Sequence, residues 1–138
     1  MMKYDYITAD GIGTPNNEIK TIVNQRFGMK KLVIYHVKQW KWIDNKYANV
    51  NRGFASPVKV REIEQEFIQI QVIDLSKYNE TWFRIDYWFL PSLIEHILEA
   101  EPKEFEKNFT SEDTIKQFIK IKSNININEV KIERLKHE

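Results

Sequence analysis

Trp40, Trp42, Trp82 and Trp88 are the four tryptophans of the chain, and each stands two or four residues from a side chain able to carry charge. His36 and Lys38 precede the first pair, and Arg84 and Asp86 lie between the second. Spacing by twos places side chains on one face of an extended strand. An exposed face of this kind can stack a base or nucleotide while its charges pair with phosphate. It can equally anchor a protein partner, because Trp, Tyr and Arg dominate interface energetics. The structural alternative is a covered face, with the tryptophans in the core and Arg84 paired to Asp86 beneath them.

Other groups offer weaker chemistry. The loop "DGIGT", residues 10 to 14, has the glycines of an anion cradle, but it lacks a third glycine and the Gly-Lys-Ser/Thr of a phosphate loop, and Pro15 removes a donor. It reads as a turn. Glu129 and Lys131 form an E-x-K pair, which resembles the metal-holding tripeptide of restriction-endonuclease-type nucleases and implies a metal-dependent nuclease as a third function. That resemblance stops at the tripeptide, since the helices expected after Asp74 and Asp86 separate both aspartates from Glu129 in sequence. His36, His96 and His137 have no metal-ligand spacing, and His96 reads as a packed helical residue. No Gly-x-Ser-x-Gly elbow marks a serine nucleophile, and the absence of cysteine excludes disulfides, thiolate zinc sites and cysteine nucleophiles. No catalytic, metal or cofactor site is expected.

The elements that would position these groups follow from periodicity. "KYDYIT", residues 3 to 8, reads as a strand. "NEIKTIVNQRFG", 17 to 28, reads as a helix capped by Asn16 or Asn17, with Ile19, Ile22, Val23 and Phe27 on one face and Gly28 at its end. "KLVIYHVKQWKW", 31 to 42, is a strand, apolar on both sides at first and amphipathic later. Val58 to Leu75 form a hairpin or one bulged strand with a phase change between Glu62 and Glu66; Ile68, Ile70 and Val72 point inward, and Gln69 and Gln71 outward. "TWFRIDYWF", 81 to 89, sets Thr81, Phe83, Ile85, Tyr87 and Phe89 against Trp82, Arg84, Asp86 and Trp88. Its wholly apolar face is enough for the core, which would leave the other free to be a site. Ser92 and Glu95 suit a capping box for a helix that Pro102 ends; Phe105 and Phe109 mark a short turn, and Thr110 with Asp113 starts another helix. Residues 124 to 135 alternate as a final strand. The fold class is therefore α+β: one domain over 1 to 138, with a mainly antiparallel sheet of five or six strands, one N-terminal helix, and two or three helices before the last strand.

Composition bounds the function. The chain has 138 residues, 42% hydrophobic and 30% charged, with a net charge of +1. No apolar run has the length of a signal peptide or of a membrane span, so a cytoplasmic location is expected, in a host cell if the chain is phage-encoded. Ile, Lys and Asn supply 46 residues, a bias associated with AT-rich genomes. Residues 1 to 61 carry 11 Lys and Arg against 4 Asp and Glu, a net of +7, whereas 62 to 138 carry 10 against 16, a net of −6. Lys30, Lys31, Lys41, Lys46 and Arg52 would give the first half a basic patch, unless basic and acidic elements lie side by side and neutralise each other. These features predict a small non-enzymatic binding protein of accessory, immunity or inhibitor type, acting by occupying a protein partner. The alternative is a nucleic-acid or nucleotide-binding protein that uses the basic half and the Trp/Arg strands.

Overall fold

The computed structural model describes residues 17–45 and 58–136. The expected strand at 3 to 8, the "DGIGT" loop, Lys46, Arg52 and His137 lie outside them. Five antiparallel strands pair in chain order: β1 (Asn17–Phe27), β2 (Lys30–Asn45), β3 (Val58–Asp74), β4 (Asn79–Asp86) and β5 (Lys131–Leu135). Three helices, α1 (Leu90–Leu98), α2 (Pro102–Asn108) and α3 (Glu112–Lys122), intervene between β4 and β5. The α+β class is as expected, with five strands and three helices among the described residues. None of these helices is long and apolar enough to cross a membrane.

Residues 17 to 27 are a strand, not the expected helix. Thr21, Ile22 and Val23 are consecutive β-branched residues, which favour extended backbone. A register shift between Thr21 and Val23 makes Ile22 an extra residue and reverses the parity of the strand. Ile19 therefore joins the cluster on one face of the sheet and Val23 the cluster on the other. Gly28, expected to end a helix, adopts φ 58° at the first position of a two-residue hairpin turn joining Phe27 to Lys30.

β3 is one bulged strand. Gln39 of β2 stands opposite Gln65 and Trp40 opposite Ile63, so Glu64 is the extra residue, inside the expected phase change. Beyond it, Ile34, Ile70 and Phe83 align across three strands and Ile68 and Ile85 across two, and all five are buried. They form one cluster with Leu93 and Ile97 of α1, Phe105 of α2, and Ile115, Phe118 and Ile119 of α3, so this is the helix face.

The opposite face is buried as well. Tyr35, Val37, Phe67, Trp82 and Leu135 form a second cluster, made of strand side chains among the described residues. Gln69, expected outward, is 1% exposed on that face. A single apolar face was not sufficient for this sheet.

The helix starts differ from expectation by small shifts. Phe89 caps α1 without a side-chain bond, so Ser92 and Glu95 make no capping box, and Pro91 lies in the first turn. Pro102 opens α2 rather than only closing α1, which suits proline because the first helical N–H is unused. Ser111 caps α3 and exchanges hydrogen bonds with Thr114, one residue later than the expected pair. Lys122 of α3 donates to Glu104 of α2 at 2.8 Å; that bond holds the Glu104 carboxyl below its ordinary range and the Lys122 ammonium above its own.

Candidate binding surface at the open end of the sheet

β2 and β3 outrun their neighbours. Among the described residues, β1 pairs with β2 from Gln39 downward and β4 with β3 from Ile68 onward. Among the described residues, 40–45 and 58–65 pair only with each other as a two-stranded ribbon. The chain leaves β4 after Asp86 at this same end, and Trp88 and Phe89 turn it into α1.

The ribbon carries aromatic and charged side chains. Trp42 is 56% exposed and Ile63 is 39% exposed. The Arg61 guanidinium lies 4.6 Å from the centroid of the Trp40 ring, a cation–π contact. Trp40 Nε1 is a buried donor with no acceptor among the described residues. His36 and Glu66 pair at 2.6 Å where the ribbon meets the covered sheet.

At the β4–α1 corner, Trp88 is 75% exposed. Its ring stacks on Phe89 with centroids 5.5 Å apart, and its Nε1–H donates to Glu129 Oε2 at 3.1 Å. The indole is therefore held in place by a neighbour and a carboxylate while its face stays open.

The expected site residues divide between two faces. His36, Lys38, Trp40 and Trp42 follow the parity of the helix face, whereas Trp82, Arg84 and Asp86 follow that of the opposite face, and β3 separates the two strands. They form no continuous platform. Trp82 is buried, stacks on Tyr35 with centroids 6.1 Å apart, and donates from Nε1 to Glu80 at 3.0 Å. Arg84 makes a forked contact to both Asp86 oxygens at 2.9 Å, donates to Gln65 and lies 3.8 Å over the Phe67 ring. With side chains 23% and 34% exposed, Arg84 and Asp86 form a half-covered structural pair.

The described members of the expected basic patch are spread along β2. Lys30 and Lys31 sit at the hairpin end and Lys41 on the ribbon, roughly 35 Å apart at the rise of a strand. Lys38 stands between Glu18 and Glu66, and Lys41 opposite Glu62, at the range where opposite charges offset each other.

The E-x-K pair is also split. Glu129 lies in a 3-10 turn and accepts from Trp88, while Lys131 is on β5, 2.8 Å from Glu133. Contrary to the sequence separation, Lys131 stands directly opposite Asp86 in register, because the three helices return the chain to the strand it left. No group of three His, Asp or Glu among the described residues could hold a metal.

Sequence reasoning missed Ile63 and Phe89 as companions of the exposed tryptophans, and Arg61 as the cation over Trp40. The signal was present in "VREIEQE", where Arg61 and Ile63 fall at matching parity before the bulge. No family model matches the chain, and no curated protein and no solved structure matches it either.

Proposed function

We propose that this chain is a small non-enzymatic binding protein that acts by occupying a protein partner through the open end of its sheet. The observation that carries this reading is the exposure of Trp42 and Trp88 at that end, beside Ile63 and Phe89. Tryptophan is seldom left this open, and rigid exposed indoles suit an interface anchor.

A nucleic-acid reading has one observation in its favour: a two-stranded ribbon bearing Arg61 and Lys41 has the shape that enters a major groove. The placement of Glu62 and Glu66 opposite the lysines counts against it, since phosphate contacts need uncompensated cations.

Enrichment from an extract of the encoding organism tests the proposal, using the unaltered chain and Trp42→Ala and Trp88→Ala variants, each with and without nuclease. A protein retained after nuclease treatment and lost with either variant is the expected result. Capture that nuclease abolishes, or that ignores both substitutions, would overturn it.

A further inference from the structure

At the β4–α1 corner, beside the exposed Trp88, Tyr87, Ser92 and His96 border an open cleft of about 360 Å³, closed on its far side by residues 124 to 129. That volume lies at the lower end of the roughly 300 to 1,000 Å³ typical of small-ligand sites. Tyr87 and Ile125 both pack against the cluster under the helices, so the lining belongs to one side of the sheet. Ser92 and His96, four residues apart, share a flank of α1.

Glu129 is the one carboxylate in the lining, and among the described residues no lysine or arginine borders the cleft. Its Oε2 accepts from the Trp88 Nε1–H at 3.1 Å, a bond that fixes the carboxylate without neutralising it. Glu129 has no ion-pair partner among the described residues; Lys131, two positions on, lies 2.8 Å from Glu133, and Lys122 lies 2.8 Å from Glu104. The hydroxyls of Tyr87 and Ser92, the His96 ring and the Asn124 amide make no hydrogen bond among the described residues. Asn126 is committed to its own turn, where Oδ1 accepts from the Asn128 N–H at 3.1 Å. The cleft therefore offers one fixed negative charge, several neutral groups able to accept, and a phenol ring.

We propose that this cleft takes the guanidinium group of an arginine side chain from the protein partner, bound at the Glu129 carboxylate and lying against the Tyr87 ring. The assignment rests on the reading of this corner as part of a partner interface. An anion would meet the Glu129 charge with no cation to offset it, and an apolar group would find only Tyr87 and Ile125. A metal ion would find His96 and Glu129 without a third ligand among the described residues. An ammonium is a compact, strongly hydrated point charge. A guanidinium is planar, more weakly hydrated, carries five donors for dispersed acceptors and stacks on aromatic rings, which fits this lining better.

The probe is N-acetyl-arginine amide, compared with the corresponding citrulline and lysine compounds. NMR titrations of the full chain follow the Trp88 Nε1–H and the His96 ring at about pH 8, where an ordinary imidazole is neutral. Citrulline keeps the shape of arginine without its charge, and lysine keeps the charge without the planar fork. The arginine compound is expected to move both resonances at millimolar concentration and to bind about fivefold more tightly than either comparator. Glu129→Gln, which keeps an acceptor for the indole, should weaken it about fivefold and leave the melting temperature unchanged. Equal affinity for arginine and either comparator, undiminished binding by Glu129→Gln, or no shift at these two resonances would overturn the assignment, even if enrichment with the Trp42 and Trp88 variants still yields a protein partner. Arginine-selective shifts at this cleft with no protein enriched would overturn the partner as the source and make a free guanidinium compound the ligand.

Discussion

Residues 32 to 35 and residues 40 to 43 of β2 are similarly rich in apolar and aromatic side chains, yet the sheet treats them differently. Leu32, Val33, Ile34 and Tyr35 are all buried, on both faces, whereas Trp42 is more than half exposed and Trp40 and Ile43 are half-buried. Side-chain chemistry does not account for the difference. The first run has strands on both sides and helices over one face; the second, among the described residues, has only β3 beside it. Apolar content thus marks where a surface could be buried, while the extent of the neighbouring strands decides whether it is. At the ribbon, that leaves indoles where a partner can reach them.

The largest expected effect lies on the covered side of this comparison. Ile68→Ala removes a side chain with no exposure from beneath the helices and should cost about 2 to 5 kcal/mol in denaturant unfolding. A loss below about 1 kcal/mol would mean that the helix face is loosely packed and the contrast weaker than drawn.

Next comes Arg84, at the border between the two regions. Arg84→Ala strands the Asp86 carboxylate and uncovers Phe67, and half-exposure moderates the cost to about 2 kcal/mol. Arg84→Lys should recover little of this, since an ammonium cannot reproduce the fork. Unchanged thermal stability in both variants would place Arg84 with the free surface instead.

Gly28→Ala is smaller still. Nothing lies within 4 Å of an added Cβ, so the cost is that of a left-handed backbone alone, about 1 kcal/mol, read as a lowered melting temperature.

The pH response of the α2–α3 link should be slight because solvent reaches and screens the pair, each side chain being 30% exposed. The folded-state value of Glu104 is depressed, so its contribution is present above the unfolded carboxylate range and is lost as pH falls through the folded value. Glu104→Gln should flatten the acid side of the stability profile. An identical profile in the variant would show that the Lys122 contact contributes nothing.

Much of the fold was legible in the sequence, for reasons that can be assigned. The contrast in "TWFRID" and the broken alternation of "EIEQE" gave β4 and the β3 bulge, because a period of two and its interruption are local properties. The N-terminal helix was misread because the bulge at Ile22 mimics helical spacing, and because a glycine at positive φ serves a helix end and a hairpin turn equally. The site was half legible. Residue type marked all four tryptophans alike and left open whether their faces are exposed or covered, because that depends on pairing with β3, which no local pattern records. Asp86 and Lys131 show the same limit: three helices separate them in sequence and none separates them in the sheet.

The most direct test concerns the open end itself. For Trp42→Ala, stability should stay within roughly 1 kcal/mol of the unaltered chain, while affinity for the enriched partner falls by about 2 kcal/mol or more, measured across a series of salt concentrations. The account predicts that this affinity varies little with salt. A log–log slope of magnitude about 3 or more, with the Trp42→Ala variant binding as tightly as the unaltered chain, would contradict it, because phosphate contacts and not exposed indoles would then hold the partner.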